Sequence, residues 1–205
     1  MASRPSTTAA RRTLAERDPV LGRHMDAVGR YRIEVDRISS IYRALAEAVV
    51  YQQLTGKAAS TIFHRVQALG GGALPAPAEL LALDDTALRG AGLSRAKTAA
   101  LKDLAAHAHD GRLPELAEAR TLDDDALIER LTAVRGVGPW TVQMLLMFRL
   151  GRADVLPATD YGIRKGFQRV FRTRQLPSPR QVLARGERWR PHRTMAAWYL
   201  WRALD

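Results

Sequence analysis

Two groups between Leu131 and Phe167 can do chemistry, in a stretch that reads LTAVRGVGPWTVQMLLMFRLGRADVLPATDYGIRKGF. The first is the turn Gly136-Val137-Gly138-Pro139. Its two glycines can take positive φ and leave no Cβ in the way of an approaching group. Pro139 presets the first residue of a helix whose first-turn N–H groups and dipole face the turn. Such an end holds a phosphate oxygen without any side-chain charge, with Val137 packed between the flanking helices. The second group is Asp160, a lone carboxylate where a loop gives way to a helix. A phosphate grip and a carboxylate near the bound strand fit an enzyme acting on DNA. Local residues also allow plainer roles: Gly-x-Gly builds ordinary helix–helix turns, and Asp160 or Thr159 ahead of a helix is a routine N-cap.

These groups need a frame, and the pattern supplies helices. Alanine and leucine recur at helical spacing while strand signals are scarce, so the fold class is all-α. Asp18-Pro19 opens a short helix towards Val28. Ser39 or Ser40 caps the next, whose stripe holds Ile41, Leu45, Ala48 and Val49. Further helices are predicted over Lys57–Leu69, Ala78–Leu83, Asp85–Arg89 and Ser94–His109. Asp123–Val134 and Pro139–Leu150 flank the glycine turn. Asp160–Phe171, Pro179–Arg188 and Pro191–Leu204 close the chain, the last two each with proline in the first turn. Ala153–Thr159 reads as an extended segment carrying the chain from one helical lobe to another.

The chain has 205 residues, enough for one good core or two small lobes sharing a cleft. Residues 1–17 read as a flexible basic tail without a secretory h-region. Residues 18–41 with 158–205 are expected to form one lobe, and residues 42–157 the lobe with the glycine turn. No apolar run is long enough to cross a bilayer. The absence of cysteine excludes disulfides, thiolate zinc sites and iron–sulfur clusters. The default location is the cytoplasm, associated with the nucleoid. A formal charge of +11 calls for a polyanionic partner. Between Arg164 and Arg193 ten basic residues face a single acid, Glu187, which favours a nucleic-acid surface.

The wider context is more specific. Leu131…Arg135-Gly-Val-Gly-Pro-Trp-Thr-Val, followed by Leu156-Pro-Ala-Thr-Asp160-Tyr, resembles the helix–hairpin–helix DNA glycosylase superfamily, and within it the 3-methyladenine DNA glycosylase II family of alkylation repair. Tyr51-Gln52-Gln53-Leu54, Gly92-Leu-Ser94-Arg95-Ala-Lys97 and Trp189-Arg-Pro-His-Arg193 are similar to that family too, so the resemblance runs from about Ile38 to the C-terminus. It implies two helical lobes flanking a cleft, without the N-terminal β-rich domain of some members. It also places the essential carboxylate at Asp160.

The remaining roles come from the same resemblance. Gly136, Val137, Gly138 and Thr141 would grip a phosphate, assisted by Arg164. Trp140, Tyr161, Trp201 and Met144 would line the base pocket, Met144 standing where relatives have an aromatic residue. From spacing alone Trp198 and Trp201, three apart on one helix, are equally core. Leu54, with Gln53 beside it, would be the wedge that fills the gap left by a flipped nucleotide; on local grounds Leu54 could equally close the core. Ser94, Arg95 and Lys97 open a helix and could bind a further phosphate or shape the cleft wall. No side chains suggest a metal site, though the family's hairpin often holds a monovalent cation on backbone carbonyls. No cofactor is implied.

The implied activity is hydrolysis of the N-glycosidic bond of alkylated purines such as 3-methyladenine or 7-methylguanine. Cleavage builds oxocarbenium character on the sugar, which a carboxylate stabilises. A base alkylated on a ring nitrogen is already cationic and leaves without much help from a general acid. Bifunctional members carry a lysine two residues past the second hairpin glycine as a Schiff-base nucleophile. Trp140 stands there, so a monofunctional enzyme leaving an abasic site is expected. Its partner is double-stranded DNA containing damaged bases; no membrane partner is expected, and the default assembly is a monomer. The alternative is a non-catalytic damage-binding module, which would keep the hairpin and wedge and have no need of Asp160.

Overall fold

The computed structural model describes residues 6–205; residues 1–5 of the expected tail lie outside the described residues. Among the described residues there are helices and turns and no strand. They divide into two compact units, one made of the residues up to Val35 with Leu146–Asp205, the other of Asp36–Leu145.

The first unit begins with α1 (Thr7–Arg17) and α2 (Pro19–Val28). The expectation of a flexible tail fails over α1. Ser6 caps it, and Leu14 and Ala10 are buried. Only two apolar side chains anchor it, too few to stand out in a basic stretch. A Cβ on Gly22 would lie 2.9 Å from that of Ala15, so the glycine sets the close approach of α1 to α2. Asp18 caps α2 through Leu21 N–H and also accepts from both Arg185 and Trp189 Nε1.

The second unit holds α3 (Ile41–Tyr51), α4 (Gly56–Ala68), α5 (Pro77–Ala82), α6 (Asp85–Gly90), α7 (Arg95–His109), α8 (Leu116–Thr121) and α9 (Asp124–Thr132). Ser40, Thr55, Ser94 and Asp123 cap four of these helices with side-chain oxygens, which fixes their starts within a residue of expectation. Helix α8 was not predicted; its N-cap position holds Glu115, which makes no side-chain capping bond, so no cap residue marks its start. Leu45, Val49 and Val50 of α3 are buried, as are Leu101 and Leu104 of α7.

Helix α10 (Pro139–Phe148) follows the glycine turn, and the division between units falls inside it, after Leu145. The crossing was expected at residues 153–159. There the chain is instead packed into the first unit: Val155, Leu156 and Ala158 are buried, and Thr194 Oγ1 takes the Val155 N–H. That unit is completed by α11 (Tyr161–Phe171), α12 (Pro179–Gly186), a 3₁₀ turn over Glu187–Trp189 and α13 (Arg193–Arg202). Pro191 precedes α13 instead of sitting in its first turn, because His192 N–H bonds back to Trp189 O and delays the helix. No helix among the described residues is long and apolar enough to cross a membrane.

Candidate active site

Asp160 is the N-cap of α11, and its Oδ1 accepts two hydrogen bonds. One comes from Ile163 N–H at 2.8 Å and the other from Trp201 Nε1 at 2.9 Å. The capping role read from local sequence is therefore real, and the indole of α13 adds a second donor that capping does not require. Trp201 also lies against Phe148, ring centroids 6.0 Å apart.

What lets Trp201 reach the carboxylate is a pair of glycines one turn apart on α11. A Cβ on Gly166 would sit 1.9 Å from Leu200 O, so backbone meets backbone where α11 crosses α13. A Cβ on Gly162 would lie 2.9 Å from Trp201 Cδ1 and 3.0 Å from Asp160 Oδ1. Sequence reasoning missed both residues. The signal was the i,i+4 glycine pair in Tyr161-Gly-Ile-Arg-Lys-Gly166, which marks a helix face made for close packing.

In the second unit the hairpin divides its labour unequally. Gly136 takes φ 77°, but Gly138 does not use positive φ. A Cβ on Gly138 would meet nothing within 4 Å, so space outside it stays open for an incoming group. Val137 is buried and its N–H is spent on Val134 O, which makes it the plug of the turn. Thr141 is buried too, its hydroxyl 3.5 Å from Gln52 Nε2. What this helix start offers to a phosphate is therefore first-turn backbone N–H and dipole, not the Thr141 hydroxyl.

Three predicted contact residues stand out from the surface. Trp140 is 44% exposed, Leu54 40% and Tyr161 63%, all high for large apolar or aromatic side chains. Lys165 Nζ lies 6.0 Å from the centre of the Tyr161 ring. Gln53 is exposed beside Leu54, and Met144 is half-buried on α10. Trp198 packs edge-on against Tyr31 and Tyr199, so its ring belongs to an aromatic cluster of the first unit.

The basic cluster needs correcting. Arg164 donates to Pro177 O and Arg169 to Ala203 O. Arg185 pairs with Asp18, while Arg190 and Arg193 pair with Asp154. Half of the ten cations are thus tied internally, Arg164 to a carbonyl within the basic stretch and the other four to acids and a carbonyl outside it. Lys97 likewise points inward, to the carbonyls of Val50 and Gln52, and does not present itself to a phosphate.

Among the described residues no cluster of His, Cys, Asp or Glu is placed to hold a metal. The hairpin offers neutral carbonyl oxygens, a donor set without charge that fits a weakly bound monovalent ion.

This geometry has counterparts among known proteins. A 3-methyladenine DNA glycosylase of Schizosaccharomyces pombe, solved in complex with abasic DNA, superposes with a TM-score of 0.82 at 39% identity, over 95% of either chain. The DNA-3-methyladenine glycosidase of Bacillus halodurans gives a TM-score of 0.85 at 34% identity, over 95% of this chain and 88% of that one. In sequence, DNA-3-methyladenine glycosylase 1 of S. pombe is 43% identical over 162 residues, 78% of this chain and 71% of the relative. The model of the HhH-GPD superfamily base excision DNA repair proteins matches residues 46–191. With that match running from within α3 to just ahead of α13, through the hairpin and past Asp160, the chain belongs to the HhH-GPD superfamily of base excision DNA repair proteins.

Proposed function

We propose that the chain is a monofunctional DNA glycosylase that flips alkylated purines, of the 3-methyladenine and 7-methylguanine type, out of duplex DNA and hydrolyses their N-glycosidic bond. The observation that carries this reading is Asp160, whose Oδ1 is pinned by Ile163 N–H and Trp201 Nε1. A carboxylate fixed in this way is pre-organised to face developing positive charge, with no reorganisation needed as the bond breaks.

The bond from C1′ to the base nitrogen breaks, and its electron pair neutralises the alkylated, cationic base. Asp160 stabilises the oxocarbenium character left on the sugar and orients water towards C1′. Water oxygen bonds to C1′ and releases its proton through the carboxylate to solvent, leaving an abasic site. The chain supplies no lysine at Trp140, the place where a Schiff-base nucleophile would stand, so strand cleavage does not follow.

The second unit supplies the grip and the wedge. Gly136, Gly138 and the first turn of α10 hold a phosphate, with Val137 as plug and the backbone at Thr141 as donor. Leu54 and Gln53 enter the duplex where the nucleotide leaves it. For the base, the first unit offers the electron-rich faces of Tyr161 and Trp201, which attract a cation, and the second offers that of Trp140 and the softer side chain of Met144. A monovalent cation on the hairpin backbone carbonyls would stiffen the turn and take no part in the reaction. The net charge of +11 supports double-stranded DNA as partner, met by a monomer at the nucleoid.

The test is to incubate the protein and its Asp160→Asn variant with methylated duplex DNA and identify the released bases by mass spectrometry. Methylpurine release by the parent, reduced at least about a thousandfold in the variant, is expected. Equal release by both removes Asp160 from the mechanism. Binding of DNA by both without release by either favours a damage-binding module.

A further inference from the structure

The segment that carries Leu54 is a short turn between α3 and α4, yet it is tied down at several points. Gln52 N–H continues α3 to Ala48 O, and Leu54 N–H closes on Tyr51 O. Gln53 sits in the left-handed region at φ 57°, uncommon for a residue with a side chain and sustained only when its surroundings enforce it.

Those surroundings come from two remote segments. Lys97, on α7, donates from Nζ to Val50 O and Gln52 O, 2.7 Å each. It places a cation on the last carbonyls of α3, where the helix dipole favours one. Gln52 reaches the other way: its Nε2 donates to Gly136 O at 3.0 Å, with Thr141 Oγ1 at 3.5 Å. Gly136 is the left-handed residue of the hairpin turn. The turn bearing Leu54 and the turn that grips phosphate are therefore joined by one side chain, across 84 residues of sequence.

We propose that Gln52 and Lys97 are positioning residues that make the wedge turn and the phosphate hairpin one rigid piece. The inference rests on the wedge role given above to Leu54. An apolar side chain entering a base step meets the resistance of the stack, and a turn that yields under this load would leave the bases stacked. Gln52 sets the turn against the hairpin, and Lys97 keeps the end of α3 from fraying. The hairpin's hold on one phosphate thereby fixes where along the strand Leu54 enters.

The experiment reads unstacking directly, independently of base release. A duplex carrying an abasic-site analogue beside 2-aminopurine is titrated with the parent, Gln52→Ala, the isosteric Gln52→Glu, Lys97→Met, Leu54→Ala and the double variant Gln52→Ala/Leu54→Ala. The parent should raise the fluorescence, and Leu54→Ala should remove most of the rise. Gln52→Ala and Lys97→Met should each reduce it about fivefold, the scale expected when a contact group is displaced by a fraction of an ångström. Gln52→Glu keeps the shape but loses the amide donor, so it should behave like Gln52→Ala. If Gln52 acts through Leu54, the double variant loses no more than Leu54→Ala alone, a non-additivity that general destabilisation does not produce. A full rise with Gln52→Ala, additive losses in the double variant, or no rise with the parent would each overturn the proposal. Methylpurine release by the parent, measured in parallel, judges the glycosylase reading separately.

Discussion

Replacing Gly162 by alanine should separate catalysis from stability. The new methyl would lie 2.9 Å from Trp201 Cδ1, 3.0 Å from Asp160 Oδ1 and 3.1 Å from Trp201 Nε1. Ordinary carbon contacts begin near ~3.5 Å, so indole and carboxylate must withdraw by about half an ångström. Helix propensity favours alanine over glycine by about 1 kcal/mol, and crowding costs about 1–3 kcal/mol, so the net loss of stability should be about 1 kcal/mol. The catalytic effect is larger. A misplacement of about 1 Å can cost about a hundredfold in rate, so half of that should cost about tenfold, or about 1.4 kcal/mol of barrier. Single-turnover release of 7-methylguanine, read beside the thermal midpoint, measures both effects. Gly166→Ala is the contrast, because its Cβ would fall 1.9 Å from Leu200 O and force the helix backbones apart. It should lose at least about 3 kcal/mol of stability. A Gly162→Ala protein with full rate would refute the argument that the Trp201–Asp160 contact positions the carboxylate.

Trp201→Phe keeps a ring against Phe148 and removes the donor to Asp160; release should slow about tenfold, with abasic-DNA binding held within about twofold, and unchanged release would make the indole a packing group only. Burial alone would raise the Asp18 carboxyl, but hydrogen bonds from Arg185, Trp189 and Leu21 N–H hold it below its ordinary value. The stabilisation is therefore complete above the unfolded-state value of about 3.9 and is lost as pH falls through the lower folded value. Asp18→Asn should cost about 3 kcal/mol at neutral pH and flatten the acid limb of the midpoint–pH curve; an unaltered limb would contradict this assignment. Borohydride should trap no covalent adduct on an abasic duplex, and a trapped adduct would reveal a lysine nucleophile.

Much of the frame is decided within a few residues of chain. An N-cap needs only a side-chain oxygen and the N–H three residues on, and so Asp18, Ser40, Ser94 and Asp123 mark helix starts in sequence as they do in the structure. The glycine turn and its following proline are legible for the same reason, as is Asp160 at the head of α11. Helix α1 and the crossing inside α10 are not, because they depend on where apolar surface finds a partner. The site shows this limit most clearly. Spacing makes Lys97 and the arginines of residues 164–193 look like phosphate contacts, but tertiary structure turns Lys97, Arg169 and Arg185 inward to carbonyls and an acid far away in the chain. Sequence places Gln52 next to a predicted wedge, and folding alone brings it to Gly136. The sequence by itself determined most of the helix starts, the hairpin turn and the place of Asp160 at the head of α11, through dihedral preferences and short-range hydrogen bonds. The tertiary structure decided which charged groups face solvent and which donors hold Asp160, because those depend on the approach of helices that no local spacing encodes.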